Sequence, residues 1–440
     1  LATGLSTPVR LNLDAGSDLV EYYDAVSANG RDFDNQKVLI VGNGNSAMEV
    51  AAELYGHAAF VHVAGRRRVK LSWQTHYVGD IRGINNEVLD SYMLKSLDGF
   101  MEIPMIEGFQ KNAQTGMIFP LEENEIPTRD MFPGREGYHR VVACVGFQWD
   151  PSIFGNKLRQ KATFASTNKY PIINDNYETV FTPDMFVAGT LAHSLDYRKS
   201  AGGFIHGFRY TARALMHLLN WRNHRKQWPT VQSKLDQMVL HMLKRLNEAS
   251  GIYQMFTTYS DVFIAHSHNL TFTHLEEIPT KLLHNLTNVT GIPFVCGRDL
   301  LFVVALQYGV NFSGPGKDVF NEYRANTDPA DAHRSNFLHP VIYYFRKLPG
   351  TYDTVQPESS QQWETMLHDQ LDGIHHVVED FTTSFDGLAT HIVPLRSFIE
   401  FHLNLNLKPY PFEECATFAF GYDYQDLSEL PVSCHKYYGI

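Results

Sequence analysis

The chain has few cysteines and no dithiol motif. Its 440 residues include four cysteines, Cys144, Cys296, Cys415 and Cys434, and no two of them have the Cys-x-x-Cys spacing. That spacing is typical of thiol redox centres and of many structural zinc sites, so neither is predicted here. A disulfide between Cys415 and Cys434 in an oxidising compartment remains an open alternative.

Long apolar runs and an excess of positive charge are also missing. No uninterrupted apolar run reaches the length that crosses a bilayer, so we predict no membrane span. The net charge of −11 argues against general nucleic-acid binding. The chain starts at Leu1 without a Met or a signal peptide, and Ile440 is not preceded by a luminal retention signal. We therefore expect a fragment of a longer protein.

The most informative segment joins a short apolar run to a glycine-rich turn. Lys37–Val41 reads as a buried strand, and the next residues have the spacing Gly-x-Gly-x-x-Ala before a helix-like pattern. In a dinucleotide-binding unit the first Gly permits a tight turn, and the second lets a pyrophosphate approach the backbone. The small third residue lets helix and strand pack closely. An ordinary βα turn is the alternative. The predicted dinucleotide-binding residues are Gly42, Gly44, Asn45, Ser46 and Ala47.

The next strand indicates which dinucleotide binds. Residues 59–63 read as a second parallel strand, after which an NAD site usually has an acidic residue for the ribose hydroxyl. No carboxylate lies between Glu53 and Asp80, and three consecutive arginines stand near the expected place. Guanidinium groups suit the additional 2′-phosphate of NADP, so we predict NADP rather than NAD. A solvated basic loop is the alternative. The candidate phosphate ligands are Arg66, Arg67 and Arg68.

No other catalytic or metal-binding motif in the sequence is complete. The segment 375–379 has metal-ligand residue types at one-turn spacing, but it is not His-Glu-x-x-His and reads as a surface helix. The segment 313–318 lacks the Ser or Thr that a phosphate loop has after its Lys. No Gly-x-Ser-x-Gly elbow is present, which argues against a hydrolase. We predict no metal site, and the sequence assigns no catalytic residue.

Hydrophobic periodicity outlines the remaining elements. A helix is predicted over Phe204–Asn220, after Gly202 and Gly203, and a second amphipathic helix spans residues 231–246. Residues 398–405 fit either a helix or a strand. The predicted strands are 141–147, 184–189, 301–307 and 341–345.

Several motifs together resemble those of the flavin-dependent monooxygenase-like oxidoreductases. The resemblance includes Leu1-Ala2-Thr3-Gly4, which is similar to a strand-end element of these two-dinucleotide flavoproteins, and the turn at Gly42. The longer segments 66–80, 90–99 and 193–198 are similar to one endoplasmic-reticulum subfamily. The family's first Gly-x-Gly-x-x-Gly, which holds the FAD pyrophosphate, is not in this chain. The fragment alone is therefore expected to bind FAD poorly or not at all.

The resemblance implies an α/β fold, a Rossmann-like two-dinucleotide flavoprotein with a partial FAD lobe, a complete NADP lobe and a C-terminal α+β domain. Residues 1–35 would form a connector and the end of the FAD lobe, and residues 36–140 would form the NADP lobe. Residues 141–228 would return to the FAD lobe, and residues 229–440 would form the C-terminal domain.

The resemblance also implies FAD and NADP as cofactors. Hydride would pass from NADPH to the flavin and then to oxygen, a partner disulfide or a small molecule. Gly146 and Gly189 end strands where the backbone would approach the flavin, with plain turn geometry as the alternative. His206, at the start of a helix, would tune the ring or act as a packing residue. The residues expected near FAD are Thr3, Gly4, Gly146, Gly189 and His206.

The expected location is the lumen of the endoplasmic reticulum. The resemblance implies it, and four Asn-x-Ser/Thr triplets, at Asn269, Asn285, Asn288 and Asn311, are clustered in one stretch. Luminal quality-control or degradation proteins are the partners that the resemblance implies. The alternative function is a flavoprotein-fold scaffold in glycoprotein degradation, with little or no redox activity.

Overall fold

The computed structural model describes residues 1–66, 69, 81–88, 99–103, 105–121, 136–165, 169–197, 200–308, 328–335, 338–350, 371–377 and 391–407. The chain forms two compact units. The first contains residues 1–172 and 179–198, and the second contains residues 173–178 and 199–440. No described helix is both long enough and apolar enough to cross a membrane.

The first unit is built on a parallel sheet. Its described strands are β1 (Thr7–Pro8), β2 (Val20–Tyr22), β3 (Lys37–Val41), β4 (Phe60–Gly65), β5 (Phe100–Glu102), β6 (Gly108–Lys111), β7 (Ile118–Leu121), β8 (Arg140–Ala143) and β9 (Phe147–Gln148). Its described α-helices are α1 (Asn45–Leu54), α2 (Asn86–Val88) and α3 (Asn156–Arg159). The sheet has the order β2-β8-β3-β4-β5, and β1–β9 and β6–β7 are separate antiparallel pairs.

Both faces of the parallel sheet are covered. Along β3, Val38 and Ile40 pack in the same apolar cluster as helix α1, whereas Leu39 and Val41 belong to the cluster on the opposite face. Successive side chains of a strand point to opposite faces, so the unbroken apolar run predicted from the sequence is what a doubly covered strand requires. The pairing of β3 with β4 is parallel, as predicted.

The second unit is an antiparallel sheet with helices. Its described strands are β10 (Thr230–Lys234), β11 (Tyr259–His266), β12 (Thr271–Pro279), β13 (Asp299–Gln307), β14 (His339–Phe345) and β15 (Gly373–His376). Its described α-helices are α4 (Ile205–His224), α5 (Met238–Glu248), α6 (Ser250–Gln254), α7 (Leu286–Thr290) and α8 (Val393–Leu403). The sheet order is β10-β12-β11-β13-β14-β15. Met242 of α5 and Ile399 of α8 are fully buried in one core with Phe263 and Phe302 of the sheet.

Several predicted elements are confirmed. The helix expected to begin at Phe204 is α4, and the strands expected at 301–307 and 341–345 lie within β13 and β14. The ambiguous segment 398–405 is helical up to Leu403. The α/β class is confirmed for the chain as a whole.

The two compact units divide the chain differently from two of the predicted domain boundaries. Residues 141–143 lie in the parallel sheet, because β8 pairs with β3 and with β2, which lies inside the predicted connector 1–35. Helix α4 lies before the predicted boundary at 228 but belongs to the second unit. The Trp221 indole of α4 donates a hydrogen bond to the carbonyl of Asn288 over 2.8 Å, which ties α4 to α7.

Three element predictions were wrong for related reasons. Val231 lies in strand β10, because that segment pairs with β12 instead of extending the amphipathic helix. His375 and His376 lie in β15, which pairs with β14, and not on a surface helix. Residues 184–189 form no regular strand, since Asp184 has a φ of 62° and the segment bonds instead to Leu1 through the amide of Ala188.

A buried ion pair joins α5 to the antiparallel sheet. The Asp261 carboxylate is fully buried, and Arg245 donates to it from Nε over 2.6 Å and from a terminal nitrogen over 3.3 Å. The backbone amide of Glu277 donates to the same carboxylate over 2.9 Å. Burial raises the pKa of Asp261, but hydrogen bonds from His274 and Arg245 outweigh it and hold this pKa below its usual range. The group is therefore a buried anion with all its partners in place.

Replacing Asp261 with Asn tests this assignment. D261N removes the nearest charged partner of Arg245 and leaves it only the longer contacts to Glu276 and Glu277, at 3.5 and 3.7 Å. We expect the variant to lower the free energy of unfolding by about 3–5 kcal/mol. Urea unfolding measures the change. The control is E248Q on the same helix, because the Glu248–Lys244 pair is solvent-exposed and contributes little. Equal stabilities of D261N and E248Q would contradict the role of the pair.

Candidate dinucleotide and flavin site

The turn after β3 requires a glycine. Gly42 has a φ of 119°, and a Cβ there would lie 2.3 Å from the carbonyl oxygen of Cys144. The Gly42 amide donates to the carbonyl of Ala64 over 2.7 Å, and the Cys144 amide donates to that of Val41 over 2.7 Å. The strands on both sides of β3 therefore fix the turn in a backbone conformation that an L side chain rarely adopts.

The space in front of helix α1 is bounded by backbone. A Cβ added at Gly44 would meet no atom within 4 Å, and no side chain caps the helix N-terminus. Ala47 and Met48 are fully buried in the core, so neither side chain fills this space. The first amides of a helix and its dipole attract phosphate groups. The geometry fits a dinucleotide pyrophosphate in the way that the sequence pattern predicts.

Arg66 lies at the same edge of the sheet as the glycine turn. In the β3–β4 pair Val41 is opposite Ala64, so Arg66, two residues further on, follows the end of β4 beside the turn. The Arg66 side chain is exposed. The Asn43 side chain covers Gly65, where a Cβ would lie 2.3 Å from its amide nitrogen. Arg67 and Arg68, like the loop residues Thr75, His76 and Tyr77, lie outside the described residues.

A frame of side chains around α1 was missed in the sequence analysis. The Tyr23 hydroxyl donates to Glu49 over 3.2 Å, and Arg82 donates to the other oxygen of Glu49 over 2.5 Å. Burial and the charge of Glu49 raise the pKa of Tyr23. The Asn45 side-chain oxygen accepts hydrogen bonds from the Arg82 amide and from the Asn85 side chain, each over 2.8 Å. These partners are far apart in sequence, and no local motif marks them.

Three predicted flavin-side glycines adopt the left-handed conformation. Gly4, Gly146 and Gly189 have φ values of 68°, 91° and 74°. A Cβ at Gly146 or Gly189 would meet nothing within 4 Å, and one at Gly4 would meet only the Thr190 methyl, at 3.9 Å. The carbonyl of Gly146 accepts from the amide of Val9, and the carbonyl of Leu1 accepts from the amide of Ala188. The open side of each glycine is compatible with the close approach of a ligand.

A buried polar cluster follows Gly189. The 3₁₀ helix that begins there carries His193, whose Nδ1 lies 2.9 Å from the Asp196 carboxylate, and both side chains are buried. The His193 Nε2 atom is buried without a hydrogen-bond partner among the described residues. Buried polar atoms are nearly always paired, so this atom fits a site that is completed by a bound group or by further chain. Together with the open glycines, it is consistent with FAD.

The other two residues predicted near FAD have different surroundings. Thr3 is exposed beside Gly4. His206 belongs to the second unit, where it is exposed and its ring stacks on Phe204 with 5.4 Å between centroids. Its role near FAD stays a prediction.

The described cysteines do not form a redox pair. Cys144 and Cys296 are both free thiols, the first buried and the second exposed. Burial raises the pKa of Cys144 to about 12, so its thiol stays protonated and unreactive at neutral pH. Cys415 and Cys434 lie outside the described residues.

The chain is similar to several known proteins. Residues 1–189 match the family model of the pyridine nucleotide-disulphide oxidoreductases. FAD-dependent oxidoreductase domain-containing protein 2 of Mus musculus is 41% identical over 454 residues, which cover 100% of this chain and 66% of that protein. The chain belongs to the FAD-dependent oxidoreductases. The Danio rerio protein of the same name is 37% identical over 455 residues, covering 94% of this chain and 64% of that protein.

Two solved structures show a weaker similarity. Bacillithiol disulfide reductase from Bacillus cereus is 17% identical, with a TM-score of 0.34 over 50% of this chain and 61% of that chain. A flavin monooxygenase mutant from Stenotrophomonas maltophilia is 16% identical, with a TM-score of 0.34 over 50% and 62%. This chain spans about two thirds of the length of the two curated relatives.

Alanine at Gly44 separates binding from folding. G44A adds a methyl group where no protein atom lies within 4 Å, so we expect an unchanged melting temperature. The same methyl group occupies the space proposed for the pyrophosphate, and we expect NADP⁺ affinity to fall at least about tenfold. Calorimetric titration and thermal unfolding measure the two effects.

The matched control for this variant is G56A, just after helix α1, where a Cβ also meets nothing within 4 Å. G56A should retain both stability and binding. Wild-type affinity in G44A would show that the nucleotide does not lie over this turn.

Proposed function

We propose that this chain supplies the complete NADP lobe and part of the FAD lobe of an NADPH-dependent flavin oxidoreductase. The glycine turn at Gly42 and Gly44, with its open space before α1, is the observation that carries the proposal. The open left-handed glycines Gly4, Gly146 and Gly189 support FAD binding by the same unit.

The protein's part in this reaction is binding and orientation. The amides at the start of α1, from Asn45 to Ala47, would hold the pyrophosphate, and Arg66 would hold the 2′-phosphate. The backbone at Gly146 and Gly189 would let the flavin approach without a side chain in between. Bound FAD supplies hydride acceptance from the nicotinamide and onward electron transfer.

The final electron acceptor is proposed to be oxygen, a disulfide in a partner or a small molecule. Cys144 is not a relay in any of these routes, because its thiol is buried and protonated. Reduction of a partner disulfide would therefore proceed without the help of that thiol. Oxygenation of a nucleophilic nitrogen or sulfur atom is the route suggested by the monooxygenase-like family.

Anaerobic reduction tests the enzyme proposal. The full-length protein should bind FAD, and its flavin absorbance should bleach when NADPH is added without oxygen. Replacement of Arg66, Arg67 and Arg68 by Ala should raise the apparent Kd for NADPH about tenfold or more, because it removes charge-assisted hydrogen bonds. The Kd for NADH should change far less.

A control for the loss of an exposed arginine is R31A, elsewhere in the first unit. R31A should bind both nucleotides as the wild type does. Equal losses for NADPH and NADH in the triple variant would remove the phosphate role of the arginines. A colourless full-length protein that binds luminal partners would favour the scaffold function instead.

We also propose that the protein works in the lumen of the endoplasmic reticulum, with quality-control or degradation proteins as partners. The surroundings of the glycosylation triplets support this location to different degrees. Asn269 is exposed in the turn between β11 and β12, and the Thr271 hydroxyl of its triplet donates to it over 2.7 Å. The Thr290 hydroxyl in the Asn288 triplet is instead buried and bonded to the carbonyl of Leu286.

The location can be tested by glycan mapping in mammalian cells. The wild type should carry a glycan at Asn269 that peptide-N-glycosidase removes, and N269Q should migrate as the form lacking one glycan. N288Q serves as the comparison and should migrate as the wild type, because the Thr290 hydroxyl that the glycosylating enzyme must recognise is buried in the folded chain. A wild type without any enzyme-sensitive glycan would argue against the luminal location.

A further inference from the structure

A short segment beyond β4 packs against helix α1, and we call residues 81–88 the return segment. Ile81 and Val88 are 1% and 2% exposed in the cluster that packs around α1. Between them, Arg82 and Asn85 are hydrogen-bonded to the first residue of α1.

The side chain of Asn45 holds this return segment. Its oxygen accepts from the Arg82 amide and from the Asn85 side-chain amide, each over 2.8 Å. An amide oxygen has two lone pairs, so both of its acceptor positions are in use. The Asn85 side chain is only 9% exposed, which places one of the two hydrogen bonds where water competes little.

The same segment brings a positive charge to the helix. The Arg82 guanidinium pairs with Glu49, which lies one helical turn beyond Asn45. A lone carboxylate at this place would repel phosphate groups at the helix N-terminus, and the arginine offsets its charge. Arg82 is thus held by two residues of α1, through its backbone by Asn45 and through its side chain by Glu49.

We propose that Asn45 is a positioning residue that fixes Arg82–Asn85 as one wall of the dinucleotide site. This inference rests on the proposed binding of NADP at the Gly42 turn. It gives the side chain of Asn45 the role of a latch between helix α1 and the return segment, whereas the backbone amide of Asn45 keeps its proposed place at the pyrophosphate. These hydrogen bonds order the wall before the nucleotide binds. Without them, binding must also order the wall, which costs free energy and lowers the affinity.

Two readouts test the latch on the purified chain. Limited trypsin digestion followed by mass spectrometry gives the rate of cleavage after Arg82, and calorimetric titration with NADP⁺ gives the affinity. N45A removes both hydrogen bonds, and we expect about tenfold faster cleavage and about tenfold weaker NADP⁺ binding. N85A removes one of the two hydrogen bonds and keeps Asn45 itself. We expect about threefold changes in the cleavage rate and in the NADP⁺ affinity.

A matched control is N112A in the same unit. The Asn112 side-chain oxygen likewise accepts two hydrogen bonds, from the amides of Gln114 and Thr115, in the turn between β6 and β7. N112A should leave both the cleavage after Arg82 and the NADP⁺ affinity unchanged. This control separates a local latch from a general loss of stability.

The remaining outcomes overturn the inference. Weaker binding in N45A with wild-type binding in N85A would show that Asn45 contacts the nucleotide directly. Faster cleavage after Arg82 with unchanged NADP⁺ affinity would show that Asn45 holds the return segment but that this segment takes no part in the nucleotide site. A wild type that does not bind NADP⁺ overturns the proposed function itself, whereas wild-type binding that both variants retain overturns only the positioning role.

Discussion

The close approach of β8 to the end of β3 is the constraint on which the nucleotide site depends. The carbonyl of Cys144 occupies the space that a side chain at position 42 would need. On the other side, the amide of Gly42 is bonded to Ala64 at the end of β4. The turn is therefore held between two neighbouring strands, and the direction of helix α1 follows from it. A single backbone conformation thus sets where the helix amides point.

Backbone and side chains contribute differently to the candidate site. The backbone provides the open space at Gly44 and the amides of α1, which suit any dinucleotide. The side chains of Tyr23, Glu49 and Arg82 form a frame around the same helix. These side chains offset the charge of Glu49 and hold helix α1 in place, and the glycine pattern in the sequence does not predict them. The proposed selection of the ribose phosphate is assigned to Arg66, which is exposed after β4 and lies outside this frame.

The sequence was sufficient for the local parts of the structure. The strand, glycine turn and helix from Lys37 to Leu54 follow from spacing and periodicity, because each depends on residues close in the chain. The contacts of Asn45 with Arg82 and Asn85 span 37 and 40 positions, and no periodic pattern links such residues. Only the folded chain brings them together.

The wrong predictions have the same cause. Val231 fits the apolar stripe of an amphipathic helix, but pairing with β12 makes its segment an edge strand. Residues 141–143 were assigned to the far side of a boundary because a parallel strand gives no sign of its neighbours. In the first case tertiary hydrogen bonds decided between two conformations that the local sequence allows, and in the second they decided which strands are the neighbours.

The interleaving of the two units has a consequence for dissecting the protein. Residues 173–178 belong to the second unit although the chain on both sides of them belongs to the first. Within this short insert, the buried hydroxyl of Tyr177 is bonded to that of Tyr259 on the antiparallel sheet. Cutting the chain once, before Lys199, would remove this tyrosine and its hydrogen bond to Tyr259 from the second unit. The second unit is therefore not a detachable module, and its transplantation into another protein would have to carry residues 173–178 along.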